Sequence, residues 1–431
     1  MLDIFQSNFD KLVKEKNFSP EELKIKKLNF DNFLKNGFPN KKLEDWKFLD
    51  LNQILNSEFE NFDFDQAKFD TQIEFFKIIK DFDHNQIFLL DGELFKNNFE
   101  FDDLDKIKIS NREYFNEKIN KNSLVNLNHA FTKKSIKIEV LKGYRANKPI
   151  VIYNYISDQA KSSVINSNIN IELGENSTLE LINLSNSPKC SNFLNSYCCI
   201  NIKDNATLKA FNINEGKTNT IEYNYNEIDL SKNSHLEYFI YSTGSTFAKH
   251  EINCSLNEPY GSAVINGVLN LEKDNQHEIK TVINHNDENC RSYQLIKNAL
   301  NDNSKGVYQG KIFVDQKAQK TDGYQLSRAL LLSEETEFNA KPELEIYADD
   351  VKCSHGSTSG NIDENAIFYL MSRGLSYNQS RQLLINGFLQ EVIEKISTPE
   401  IKKLIKKITG IRDENWSDKK RVSNLWWKNS K

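Results

Sequence analysis

A repeat of 28 to 29 residues constrains the middle of this chain more than any other feature. The segment Ile171-Glu-Leu173-Gly-Glu-Asn176-Ser-Thr-Leu179-Glu-Leu181 aligns with Ile200-Asn-Ile202-Lys-Asp-Asn205-Ala-Thr-Leu208-Lys-Ala210, and again with Ile228-Asp-Leu230-Ser-Lys-Asn233-Ser-His-Leu236-Glu-Tyr238. The copies lie 29 and 28 residues apart, and weaker echoes sit near Asn275 and Asn303. In each copy, alternating apolar residues flank a polar turn centred on Asn, a residue that tolerates left-handed backbone geometry. A unit of two strands and a turn, with no crossover helix, cannot bury its apolar side alone and must stack on its neighbours. The repeat therefore predicts a mainly β chain built around a β-helix, in preference to an ordinary antiparallel sandwich. In this frame Cys198 points inward as a core thiol and Cys199 faces outward.

Both flanks read as helical. Phe5, Phe9 and Leu12 recur at helical spacing, and Ser19-Pro20-Glu21-Glu22 supplies an N-cap, a first-turn proline and a capping-box glutamate. Gly37-Phe-Pro39 ends the second helix, and Trp46 in the amphipathic piece Leu43 to Phe48 is expected in a core. Phe and Asp crowd residues 58 to 83 without fitting one element, whereas Ile87 to Gly92 looks like a strand entering a tight turn. After Gly360, Asp363 caps a helix over Glu364 to Arg373 with Gly374 as its stop, and Asn378 to Ile396 presents Leu384, Ile385, Phe388, Leu389, Val392 and Ile396 at helical spacings. The periodicities divide the chain into an N-terminal, mostly helical domain over 1–143, a β-helix core over 144–348 and a C-terminal helical domain over 349–431 that starts with a Cys-x-His motif. The tail carries Trp426-Trp427, either tucked onto that domain or part of a docking surface.

Composition narrows the function classes. Lys and Arg total 56 against 61 Asp and Glu, for a formal charge of -5, which offers no electrostatic footprint for nucleic acid or an acidic membrane. No apolar run approaches the roughly 18 residues of a membrane span, and the N-terminus lacks a basic segment followed by an apolar stretch, so a cytoplasmic protein is expected. Six cysteines, at 190, 198, 199, 254, 290 and 353, show no paired framework and fit free thiols in a reducing compartment. No phosphate loop or dinucleotide-binding glycine pattern is present in the sequence, so nucleotide binding by this chain is not expected.

The chemistry concentrates in Lys341-Pro-Glu-Leu-Glu-Ile-Tyr-Ala-Asp-Asp-Val-Lys-Cys353-Ser-His355-Gly356. If the segment continues extended, Cys353 and His355 project from one face with α-carbons roughly 7 Å apart. Both could reach one ion, although metal sites usually need three or four ligands, and a buried Cys with a turn His is the plainer alternative. His250 with Cys254 and His285 with Cys290 could each give two ligands, but packing accounts for them better. Asp349-Asp350 could bind a hard cation, yet adjacent carboxylates on a strand point to opposite faces.

The run Gln309-Gly-Lys-Ile-Phe-Val314, Ala318-Gln-Lys-Thr-Asp-Gly-Tyr-Gln325, Leu330-Leu-Leu-Ser333, Pro342 to Gly356 and Asp363 to Gly374 closely resembles the SufB/SufD family of iron-sulfur cluster assembly proteins. Gly37-Phe-Pro39, Glu44-Asp-Trp46, Asp91-Gly92 and Leu124 to Ala130 extend the resemblance over nearly the whole chain. The Lys-Cys-Ser-His-Gly form is similar to the SufD branch. Gly323, where alanine is common, and Asn386-Gly387-Phe388, closer to the SufB form, depart from that branch.

The resemblance implies a right-handed parallel β-helix between helical domains, in a non-catalytic scaffold subunit. It implies pairing with a SufB-like subunit through the β-helix, and docking of a SufC-like ABC ATPase on the C-terminal helices. It also implies a homodimer as a possible state of the isolated chain. His355 first and Cys353 second are then ligands to a transient iron-sulfur cluster shared with SufB. A paralogous SufB-type scaffold is a second reading within the family. A β-helix polysaccharide lyase or hydrolase, with Asp349 and Asp350 as metal or acid-base groups, is the alternative from another class, and a purely structural solenoid is the third.

Overall fold

The structure, a computed structural model, describes residues 2–58, 78–112, 120–157, 160, 162–186, 191–215 and 220–411. Most of the Phe- and Asp-rich stretch, Cys190 and the Trp426-Trp427 pair lie outside the described residues.

A β-solenoid fills the centre. It opens with β1 (Asn85–Leu90), β2 (Glu93–Asn98), β3 (Ile107–Arg112), β4 (Ser135–Val140) and β5 (Ile150–Tyr155). The next strands are β6 (Val164–Leu173), β7 (Thr178–Asn186), β8 (Asn192–Ile202), β9 (Thr207–Glu215), β10 (Thr220–Leu230), β11 (His235–Thr243) and β12 (Phe247–Leu256). The series closes with β13 (Ser262–Leu271), β14 (Gln276–His285), β15 (Arg291–Leu300), β16 (Lys305–Val314), β17 (Asp322–Leu331), β18 (Glu337–Ile346) and β19 (Lys352–Asn361). Even-numbered strands from β4 onward stack into one parallel sheet and odd-numbered strands from β5 onward into the other. From β6 onward two strands make one turn, giving about seven turns.

The repeat is the physical basis of this stack. Ile171, Ile200 and Ile228 are in register, as are Leu173, Ile202 and Leu230, so each inward position becomes an apolar ladder between the sheets. Asn176, Asn205 and Asn233 carry the turns at φ 57°, 57° and 52°, the left-handed conformation expected of them. The later echoes differ: the left-handed residues there are Lys273 and Asp302, not Asn275 and Asn303. Cys198 faces inward against the core, and Cys199 packs on the outer layer.

Helices cover both outer faces. The N-terminal set, α1 (Leu2–Glu15), α2 (Pro20–Asn36), a 3-10 turn at Glu44–Trp46, α3 (Leu51–Glu58) and α4 (Ser123–Phe131), shares a core with Phe193, Tyr197, Tyr223 and Phe247 of the even-numbered sheet. Ser19 caps α2 by accepting from the Glu22 amide at 3.2 Å, and Gly37 stops it at φ 64°. The C-terminal set, α5 (Glu364–Ser372), α6 (Tyr377–Ile393) and α7 (Pro399–Ile408), packs Leu384, Phe388, Val392 and Leu404 on Ile182, Phe211, Phe239 and Leu295 of the odd-numbered sheet. Strands buried on both faces lose simple alternation, which is why Tyr238-Phe-Ile-Tyr241 is continuous apolar sequence.

The two ends of the solenoid differ. At the start, β2 pairs antiparallel with β1, and β3 with β4, and both outer strands are only six residues long. The β1–β2 hairpin turns through Asp91 and Gly92 at φ 48° and 81°, as the sequence predicts. At the far end β18 and β19 are each ten residues long and are the terminal strands of their sheets.

Candidate metal-binding site at the open rung

Cys353 and His355 sit on β19, the last strand of the solenoid. They therefore belong to the β layer, and the helices begin only at Glu364. Parallel register sets Cys353 opposite Gly323 and His355 opposite Gln325. Register partners share a sheet face, and Gln325 is fully buried between the sheets, so the pair occupies the interior side of the terminal rung. That is the one-faced placement the spacing predicts.

The two groups differ in environment. His355 is exposed, whereas Cys353 is half-buried beside the cluster of Ile312, Val314, Ala318 and Ala348. Burial pushes the Cys353 thiol above its ordinary range; a hydrogen bond with the Gly323 backbone works in the opposite direction, and the Asp322 charge adds to the rise. A soft metal ion bound at this thiol would have to displace its proton. A Cβ on Gly323 would stand 3.4 Å from Cys353 Sγ, ordinary contact, so the alanine common at this position would also fit.

The rung itself is unfinished. Among the described residues neither β18 nor β19 has a neighbour on its outer side, and Leu344 of β18 and Val351 just before β19 are only partly buried. Natural sheet edges are usually guarded by charge or proline. β18 has such guards in Lys341, Pro342, Glu343 and Glu345, while β19 carries no Lys, Arg, Asp, Glu or Pro from Cys353 to Asn361.

The other pairings of ligand-type residues resolve as packing. His250 contacts Asn224 at 3.4 Å and Ser242 at 3.0 Å, and Cys254 lies in the apolar interior. His285 meets Ser292 at 2.9 Å, and Cys290 Sγ donates to the Glu258 carbonyl at 3.3 Å. Asp349 and Asp350 are exposed in the bend before β19. No group of three or more His, Cys, Asp or Glu side chains suited to a metal ion occurs among the described residues. Sequence reasoning passed over Gln325 and Tyr308 beneath the motif, although Gly310, close to both, was a signal that something large needed room.

The model of the SufBD core domain of the SUF system for FeS cluster assembly matches residues 155–388, more than half of the chain. The iron-sulfur cluster assembly protein SufD of Escherichia coli is 35% identical over 181 residues, 42% of this chain and 43% of that one. A SufBD family protein of Synechocystis is 40% identical over 119 residues, 28% of this chain and 26% of its own length. One of Mycobacterium leprae is 31% identical over 182 residues, 40% of this chain and 46% of its own. The aligned stretches thus span less than half the length of each of these relatives. By the core-domain match over more than half of its length, the chain belongs to the SufBD family of iron-sulfur cluster assembly proteins.

Proposed function

We propose that this chain is the SufD-like subunit of a SufBCD scaffold and that its open rung is half of a shared coordination site. The observation that carries the reading is the location of Cys353 and His355 on the interior side of a terminal rung whose two strands, among the described residues, are paired on their inner edges alone. Two ligands are too few to hold a cluster, and a scaffold must release what it builds. A SufB-like subunit that extends the solenoid across β18 and β19 supplies the remaining ligands; the cluster is cargo, bound in passing. Without that subunit, a second copy of this chain can cover the same edge as a homodimer.

The solenoid winds right-handed, the hand that favours parallel crossovers in general. Energy comes from a separate SufC-like ABC ATPase, this chain being a non-catalytic scaffold subunit that binds no nucleotide in the cytoplasm. The C-terminal helices offer that ATPase an apolar surface, with Phe368 73%, Tyr369 44% and Met371 42% exposed. Domain limits at 1–143, 144–348 and 349–431 describe functional parts, with the last two meeting at the rung.

His355→Ala tests the reading. In the complex reconstituted with SufB- and SufC-like subunits under iron and sulfide, the variant is expected to keep its melting temperature and its partners but lose most of the charge-transfer absorption of the cluster. Full absorption in an intact His355→Ala complex would contradict it.

A further inference from the structure

One turn beneath His355 lies a buried amide. The ladder column that runs Ala210, Tyr238, Ile265 deep in the solenoid turns polar at Gln294 and Gln325 before reaching His355. Leucine or methionine would fill the same space without needing partners, whereas a buried amide must find hydrogen-bond partners to offset its lost hydration. Gln325 is held at both ends. Its Oε1 accepts from Tyr308 Oη at 3.3 Å, and its Nε2 donates to the Glu343 carbonyl of β18 at 3.2 Å. The side chain thus crosses from the odd-numbered sheet to the even-numbered one directly under the open rung. Gly310 makes the room: a Cβ there would collide with Gln325 Oε1 and Tyr308 Oη and come within 2.7 Å of Tyr308 Cζ. The single Tyr308 hydroxyl hydrogen is shared between Gln325 Oε1 and Gln294 Oε1, the latter at 3.2 Å, and Thr281 Oγ1 at 3.3 Å is placed to donate to the Tyr308 oxygen from below.

We propose that Gln325 is a positioning residue for His355: braced by Tyr308 and the Glu343 carbonyl, its amide fixes the imidazole in the next strand and the separation of β18 from β19 at the rung. Strand neighbours in register stand about 4.8 Å apart, so the amide is the floor on which the imidazole is set. Tyr308 and Gly310 act through Gln325, one by hydrogen bond and the other by leaving space. The inference rests on the reading of His355 as a ligand, but its test does not need the partner.

The test uses the full chain with histidine labelled at Cε1, so that each of its 7 histidines gives one resonance. His355→Gln assigns the line. In Gln325→Met the His355 line is expected to move by more than its width while the other lines and the melting temperature hold. Tyr308→Phe, which removes only a hydroxyl, is expected to move the same line in the same direction, and it decides the matter if Gln325→Met does not fold. An unmoved His355 line in the folded variants, or all lines moving together, would overturn the proposal. If the line moves but His355→Ala still assembles clusters, the positioning stands and the ligand role falls.

Discussion

Near the open rung two glycines make opposite demands on their surroundings. Gly310 has no space for a side chain, since an added Cβ meets the Gln325 amide and the Tyr308 ring. Gly323 has space, with its nearest neighbours at ordinary contact distance. Overpacking a closed interior costs about 1–3 kcal/mol, so Gly310→Ala should lower the thermal midpoint by several degrees while Gly323→Ala leaves it within a degree or two. Equal shifts in calorimetry would contradict this. Cys353 and His355 were legible in the sequence because a period of two fixes which side chains share a face whatever else the fold does. The Gln325 brace was not, because its partners lie 17 and 18 residues away on other strands, and pairing at that distance follows from register rather than pattern.

Single elements are tied together by charge as well as by apolar contact. Lys249 of β12 is fully buried, donates to Glu278 at 2.6 Å and to the Asp45 carbonyl at 2.6 Å, and lies 4.3 Å from the Trp46 ring centre. Lys280 pairs with Asp45 at 2.7 Å and Lys341 of β18 with Glu44 at 2.7 Å, so the Glu-Asp-Trp turn fastens the N-terminal helices onto the sheet, including its outermost strand. Removing one partner of a buried pair costs roughly 3–5 kcal/mol. Lys249→Ala should show that loss in urea unfolding, whereas Lys249→Met combined with Glu278→Gln should show much less. A loss under about 1 kcal/mol for the single variant would mean that the clamp carries little. Sequence marked Trp46 as core but could not reveal the clamp, which joins residues over 200 positions apart. The turns were readable where Asn takes the left-handed position and off by two residues at Lys273 and by one at Asp302, where other residues take it. There the turn is held across rungs, by the Lys273 amide donating to Asp302 at 2.9 Å, and side-chain preference gives way.

The whole molecule is built to be stable at neutral pH rather than in acid. Burial holds His129 and His250 down to about 3 and His277 and His285 down to about 4. An unfolded chain would protonate these near 6.5, so the full stability is present above that pH and drains away as pH falls toward 4. The loss is up to about 1.4 kcal/mol per pH unit for each histidine. Glu222, whose carboxyl is raised by burial, opposes the trend, because its folded form takes up a proton first. The thermal midpoint should therefore fall from pH 7 to pH 5, more steeply in Glu222→Gln, and a flat or rising profile would contradict the assignment. Helical flanks and a solenoid centre were legible because periodicity changes sharply along the chain. That the helices divide between the two outer faces and, among the described residues, leave the β18–β19 end uncovered was not, because coverage depends on how the layers meet. The bare end is the central claim, and hydrogen exchange of this chain with and without a SufB-like subunit tests it most directly. Amides of β18 and β19 should become protected on complex formation while those of β2 and β3 at the opposite end exchange as before; protection that bypasses β18 and β19 would contradict the account.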